Sequence, residues 1–354
     1  MRSARTLLSV SLAFCLSAAS VLHAQVLAAV PHAPTTVAGT VVPLPSSLTG
    51  TPRLRILALP SLAATLGNAL PALELPRISA AGPVQTAFAA ADASSQWTSA
   101  EDWDEALRSY GVPESLIAHL AAFIASRHPG DPAHVYHGLL HTQKVADVAA
   151  AILAGRAPSA PHAPLLIAAA LLHDIDPERV GGTPPSVPAT LKHLDEDPQA
   201  QALLEELEHA GCGSPAQLAA LIKFTDFSPY KDAQAALTKE AEEMAERAFP
   251  TEEDRAWAKR WGPRLAFADQ VSMYTDDPET AAAAVRGLAA EIRTAAALRT
   301  GEAQSQPTDE GLLSGTHAFI KPLMDGPHFE LLPPSHAARV GEVYLYFLAL
   351  SRTR

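Results

Sequence analysis

The 354-residue chain is predicted to fold as an all-α, multi-helix bundle, and three observations predict it. Beyond about residue 96, apolar residues recur at the three- and four-residue spacing of a helix. Residues that favour helix N-termini stand in front of these segments. No segment shows the sustained alternation of apolar and polar residues that is typical of a strand. The apolar fraction of 48% is enough to build a substantial core.

The first 24 residues have the pattern of a secretory signal peptide. Arg2 and Arg5 precede an uncharged apolar run, and small residues follow with a cleavage point after Ala24. This predicts an exported protein, periplasmic or extracellular, with no stable membrane insertion once the signal is cleaved. The alternative is an uncleaved N-terminal membrane anchor, because the uncharged stretch continues past Ala24 and is long enough to cross a bilayer.

Residues 25–95 form a segment rich in Ala and Pro with few charges. Its only charged residues are Arg53, Arg55, Glu74, Arg77 and Asp92. Repeated prolines interrupt regular structure, so a spacer or pro-segment is predicted here and no chemistry is assigned to it. The folded domain is predicted to span residues 96–354.

The domain reads as a succession of helices. Thr98 followed by Glu101 predicts a capping box that opens a helix through about Tyr110, and Pro113 leads into a second helix. Further helices are predicted at 139–153, 164–174, 215–225, 251–274 and 278–298, and from 337 to the C-terminus. Loops are predicted at 181–188 and 300–310, where Gly, Pro and polar residues collect.

The charge balance argues against a nucleic-acid partner. The 38 acidic and 26 basic residues give a net charge of −12, which repels long polyanions. A small-molecule ligand is therefore the expected partner, and the sequence makes no prediction of the oligomeric state.

Polar residues interrupt the apolar segments at three places. His137 and His141 are four residues apart, so in a helix they would share one face. An apolar helix ends in His173 and Asp174, where a buried imidazole and carboxylate need a partner or a metal. Asp269 also emerges from an apolar stripe. Histidine and aspartate on separate helices supply the mixed nitrogen and oxygen ligands that one or two divalent ions, Zn²⁺, Mn²⁺, Mg²⁺ or Fe, would accept.

These residues resemble a family, the HD-domain metal-dependent phosphohydrolases, and within it the catalytic domain of class I 3′,5′-cyclic nucleotide phosphodiesterases. The similarity covers about half of the chain. The matching residues, in order, are Tyr136, His137, His141 and Val145; His173, Asp174, Ile175 and Asp176; Ile222 with Thr225, Asp226, Phe227 and Ser228; and Ala268, Asp269 and Ser272. The resemblance implies an HD-domain helical bundle with a buried metal site.

The resemblance also implies roles. His141, His173, Asp174 and Asp269 would hold the first metal, with Asp174 touching a second, and His137 would be the general acid. Thr225 and Asp226 match a segment that borders the site in that family, so they are candidates for its lining.

The sequence departs from the family pattern at two places. The family has another histidine just after the His-Asp pair, where this chain has Asp176, Pro177 and Glu178. A second metal site would need Asp176 or Glu178, or the chemistry would use one metal. Near the C-terminus, Thr316 stands where the family has the glutamine that reads the base. Phe319 could stack on a base there, or be a core residue.

The function predicted from these residues is hydrolysis of a phosphoester, a nucleotide or 3′,5′-cyclic nucleotide-like molecule. A metal-activated water would attack phosphorus, and His137 would protonate the leaving group. Two alternatives stay open: an HD-fold oxygenase with bound iron, and a catalytically silent metal-containing binding module.

Overall fold

A computed structural model of the chain describes residues 97–127, 136–155, 162–176, 184–228, 230–300 and 308–352. Within these ranges every regular element is helical, which confirms the all-α prediction for them. The predicted signal peptide, the 25–95 segment, and the residues Pro177 and Glu178 lie outside them. None of the described helices is long and apolar enough to span a bilayer.

Twelve α-helices are present in the described residues. They are α1 Ala100–Ser109, α2 Glu114–Arg127, α3 Leu139–Ala154, α4 Ala163–Leu172, α5 Val187–Glu196, α6 Pro198–His209, α7 Pro215–Lys223, α8 Lys231–Ala248, α9 Glu252–Ser272, α10 Pro278–Thr300, α11 Asp309–Asp325 and α12 Pro334–Arg352. A 3₁₀ turn, Phe329–Leu331, precedes α12.

The capping box of α1 lies one residue later than predicted. The hydroxyl of Ser99 accepts a hydrogen bond from the backbone N–H of Asp102 at 3.1 Å, and the Asp102 carboxylate accepts one from the Ser99 N–H at 2.8 Å. That carboxylate also accepts from the backbone N–H of Thr98 at 2.9 Å. Thr98 and Glu101 therefore do not form the box, because Asp102 already binds both backbone amides.

Four helices, α5, α6, α8 and α11, were not predicted, and α11 begins at Asp309, inside the predicted loop at 300–310. Pro188, the last residue of the predicted loop at 181–188, and Pro198 occupy first-turn positions where proline is tolerated. The predicted loop at 181–188 therefore ends earlier, at the N-cap Ser186, and α5 begins at Val187. In α8 only Ala241 and Ala245 are buried, and most of its other residues are charged or alanine, so its apolar signal is weak.

Helix α4 is the centre of the bundle. All of its residues except Pro164 are buried, and it packs against α2, α3, α7 and α9. A helix that is apolar on every side must be surrounded by other helices. Its C-terminal end therefore carries His173 and Asp174 into the interior. The helix ends at Leu172, two residues earlier than predicted.

Helix α9 approaches the end of α7 very closely. A Cβ atom added to Gly262 would lie 2.1 Å from the ring of Phe224, so only glycine fits there. Pro263 follows inside the same helix. This contact fixes α9 against α7 and sets the position of Asp269, which is two turns further along α9.

Candidate metal centre

Four side chains from three separate parts of the core converge on one point. Nε2 of His141 on α3 lies 3.2 Å from Oδ2 of Asp174 and 3.1 Å from Oδ1 of Asp269. Nε2 of His173 lies 3.2 Å and 3.4 Å from the same two oxygens. Ligands bound at about 2.1 Å in tetrahedral or octahedral arrangement stand about 3.0 to 3.4 Å apart. The spacing of these four atoms is therefore that of neighbouring ligands.

Three of these atoms are buried and have no hydrogen-bond partner. They are Nε2 of His141, Nε2 of His173 and Oδ2 of Asp174. The side chains of the two histidines are only 3% and 1% exposed, so bulk water does not satisfy them. Each unpaired buried polar group costs about 1–3 kcal/mol. A divalent cation would satisfy all three atoms at once, so the residues fit a metal ion.

The tautomer of His173 also suits a ligand. Its Nδ1 atom lies 2.7 Å from the carbonyl oxygen of Ala170. A carbonyl oxygen can only accept, so Nδ1 carries the proton in this contact. In the neutral imidazole Nε2 then has a free lone pair directed at the carboxylates, which is the arrangement typical of metal-binding histidines.

The imidazoles and the carboxylates of the centre shift one another's pKa values. Burial lowers the pKa of His141, but the nearby carboxylates of Asp174 and Asp269 outweigh burial, and the net pKa is raised. Burial would raise the pKa of Asp174, yet the positive charge of His173 and contacts with His141 lower it well below its usual value. The carboxylates are therefore ionised at neutral pH and attract positive charge to the centre.

His137 lies beside the centre and does not belong to α3. Gly138 is extended, with φ −96° and ψ −171°, and α3 begins at Leu139. The two histidines therefore do not share a helix face, which corrects the sequence prediction. Their ring centroids are nonetheless 5.4 Å apart. Nitrogen and oxygen atoms of His137, His141 and Asp174 lie within 4.8 Å of one another, as do those of His141, His173 and Asp269.

The position of His137 is fixed by Glu291 on α10. One oxygen of this fully buried carboxylate accepts the backbone N–H of Tyr136 at 2.9 Å and that of His137 at 3.1 Å. The other oxygen makes a close contact with Nδ1 of the His137 ring. Burial raises the pKa of Glu291, but the charge of His137 and these hydrogen bonds lower it overall. An ionised carboxylate therefore holds the imidazole ring.

Glu291 was not identified from the sequence. It lies 154 residues from His137, so no local motif contains both residues. A signal was nevertheless present. Val285, Ala289, Ile292 and Ala295 form the buried side of α10, and Glu291 is buried among them. A charged residue on an apolar face needs a buried partner.

The other predicted site residues fall outside the two groups of metal-ligand atoms. Asp176 is half-buried and belongs to neither group. Thr225 donates its hydroxyl to the carbonyl of Ile222 at 2.8 Å, and Asp226 pairs with Lys223 at 2.9 Å. Both side chains are therefore bound by residues at the end of α7.

Phe319 belongs to an aromatic group with Phe227 and Tyr274. Its ring lies 6.2 Å from that of Phe227 and 6.3 Å from that of Tyr274. The hydroxyl of Thr316, on the same helix, donates to the carbonyl of Leu312 at 2.8 Å. The hydroxyl proton of Thr316 is therefore already used in a hydrogen bond within its own helix.

Comparisons with protein-family models, with characterised proteins and with solved structures give no match to this chain.

Proposed function

We propose that the protein is a metal-dependent phosphohydrolase with an HD-type helical bundle, which cleaves a phosphoester with His137 as general acid. The observation that carries the proposal is the convergence of four ligand atoms, three of them buried without a partner, beside a histidine held by a buried glutamate. The sequence resemblance to HD-domain phosphohydrolases supports the same assignment.

His141, His173, Asp174 and Asp269 would hold the cation. Two imidazoles and two carboxylates suit Zn²⁺, Fe or Mn²⁺, whereas Mg²⁺ prefers oxygen ligands. A bound divalent cation supplies an activated water molecule and compensates the negative charge of phosphoryl oxygens. The protein holds two of these ligands, His173 and Asp174, at the end of its most buried helix.

His137 is suited to deliver a proton. Glu291 accepts from Nδ1–H, so proton transfer to the leaving oxygen would use Nε2. A carboxylate behind the imidazole is found both for metal-binding histidines and for acid–base histidines, so the metal content of His137→Ala distinguishes the two roles.

The first test is elemental analysis of the purified protein together with hydrolysis of bis-p-nitrophenyl phosphate and of 3′,5′-cyclic nucleotides. We expect about one equivalent of metal or more, and hydrolysis that a chelator stops and added metal restores. Metal without turnover would favour a silent binding module or iron-dependent oxygen chemistry. Absence of metal from a folded protein would contradict the assignment of the centre.

Two variants then test the proton donor. His137→Ala should lower kcat about 10²- to 10⁴-fold while metal content is unchanged, because it removes a proton donor and none of the four ligands. Glu291→Gln should lower kcat about 10- to 100-fold, since it loses the ionised partner of the imidazole. His119→Ala is the matched control, because His119 pairs with Glu206 at a partly exposed position away from the centre. An equal effect of the control and His137→Ala would contradict the general-acid role.

A further inference from the structure

Two tyrosines, Tyr136 and Tyr274, lie close in the chain to residues of the metal centre. The ring of Tyr136 lies 4.5 Å from the ring of His137 and 4.7 Å from that of His141. Tyr274 follows α9 directly, two residues after its last residue, Ser272, and packs against Phe319. The Tyr136 ring therefore lies next to one proposed ligand and the proposed proton donor, and Tyr274 lies five residues after the proposed ligand Asp269.

The two hydroxyl groups make no hydrogen bond to any of the described residues, although Tyr274 is only 3% exposed. Neither hydroxyl is among the fully buried polar atoms that lack a partner, so each still reaches solvent-accessible space. Tyr110 shows the usual arrangement of a phenol in a protein interior, because its hydroxyl donates to Asp147. The hydroxyls of Tyr136 and Tyr274 therefore remain available to a ligand.

Both side chains are held in place by the protein. The backbone N–H of Tyr136 is bound by Glu291, and its ring packs against two imidazoles. The ring of Tyr274 is supported by Phe319. Burial, followed by the charge of Asp269 and the phenol of Tyr274, raises the pKa of Tyr136. The neutral hydroxyl is the form that donates a hydrogen bond to an anion.

Two lysines near the site motifs in sequence are already paired. Lys144 contacts Asp276, and Lys223 is bound by Asp226 and Glu240. A phosphoryl group that enters the centre must also approach the carboxylates of Asp174, Asp269 and Glu291. Neutral hydroxyl donors can bind its oxygens without a charged side chain.

We propose that the hydroxyl groups of Tyr136 and Tyr274 donate hydrogen bonds to the non-bridging phosphoryl oxygens of the substrate. This inference rests on the proposed phosphohydrolase function, and it adds two substrate-binding residues from separate parts of the chain. Since each hydroxyl has no other partner in the described residues, binding the phosphoryl group would also satisfy two donors of the protein.

The test compares Tyr136→Phe, Tyr274→Phe and the double variant with wild type, in the full chain loaded with Zn²⁺. Binding of inorganic phosphate is measured by titration calorimetry, and zinc content by elemental analysis. Each single variant should bind phosphate about 3- to 10-fold more weakly, and the double variant more weakly still, with zinc content unchanged. The matched control is Tyr346→Phe, because the Tyr346 ring packs on Phe347 in α12.

Kinetics add a second readout where hydrolysis is detected. The variants should lower kcat/KM by at least the factor seen in phosphate binding, whereas Tyr346→Phe should leave it unchanged. Unaltered phosphate affinity in the double variant would overturn the inference, as would failure of zinc-loaded wild type to bind phosphate. Phosphate binding that depends on the two hydroxyls, in a protein that hydrolyses no phosphoester, would instead support the inference and contradict the proposed function.

Discussion

The C-terminal ends of α4 and α7 both carry buried polar side chains, but these side chains have different partners. Both helices are apolar and bring polar side chains to a buried position at their C-terminal ends. At the end of α7 the ammonium group of Lys223, only 6% exposed, lies 2.9 Å from Asp226 and 3.0 Å from Glu240. At the end of α4, His173 and Asp174 each keep one buried atom without a hydrogen-bond partner.

The difference separates a structural ion-pair group from a candidate site. Buried polar groups in folded proteins are almost always hydrogen-bonded, so an exception calls for an explanation. The α7 group needs no ligand, because its protein partners satisfy it. The α4 group holds four converging atoms that fit a cation. Removing a side chain at α4 should therefore change metal content, whereas removing one at α7 should change only stability.

The largest effect is expected for Asp174→Ala. The change removes one of four proposed ligands, one that contacts both His141 and His173. Metal content should fall to a small fraction of the wild-type value, and hydrolysis should fall with it. Chelation should lower the Tm of wild type, because a ligand present at about a hundred times its Kd stabilises by about 2.7 kcal/mol. The variant should show no such chelator-dependent shift.

Elemental analysis and thermal melts with and without chelator check this prediction. Asp226→Ala is the matched control, because it removes an aspartate from the corresponding position of the α7 group. If Asp174→Ala kept the wild-type metal content, the assignment of a metal centre to the end of α4 would be contradicted.

A smaller effect, on stability alone, is expected for Lys223→Met. The substitution keeps the length of the side chain but leaves Asp226 and Glu240 without their cation. We expect a loss of about 2 kcal/mol in the free energy of unfolding, less than for a fully buried pair, because the side chain of Glu240 is 57% exposed. Urea denaturation measures the loss, and metal content should equal that of wild type. Loss of metal would show that the two regions are coupled.

The pH dependence of the α7 group follows from the same contacts. Burial lowers the pKa of Lys223, but hydrogen bonding and charge from Asp226 and Glu240 outweigh it and raise the pKa overall. A raised lysine pKa stabilises the folded state below the unfolded value of about 10.4, and this contribution is lost as pH rises through the folded value. The stability difference between wild type and Lys223→Met should therefore be constant around neutral pH and shrink only in strong alkali.

The smallest effect is expected at the start of a helix. Asp197 caps α6 by accepting the backbone N–H groups of Gln199 at 2.7 Å and Ala200 at 3.0 Å. Asp197→Ala should cost about 1 kcal/mol of stability, and Asp197→Asn less, because asparagine also caps helices. Urea denaturation of the two variants checks this order. Equal losses in both would indicate that the charge contact with Arg127 matters more than the cap.

Much of the fold could be predicted because its signals are local. Apolar spacing and capping residues marked α1, α2, α3, α4, α7, α9, α10 and α12, with ends wrong by a few residues. Helix α8 gave no such signal, since its stability depends on contacts with α7 and α9 and not on a broad apolar face. The predicted cleavage after Ala24 and the export of the protein stay predictions.

In the candidate site, too, some features could be predicted from the sequence and others could not. The sequence by itself determined that His141, His173, Asp174 and Asp269 interrupt apolar helices, because such an interruption is visible within one helical turn. Only the tertiary structure decided that these four side chains meet, that Asp226 pairs with Lys223, and that Glu291 holds His137. The physical reason is that a buried charge is recognisable locally, whereas its partner is chosen by the packing of distant helices.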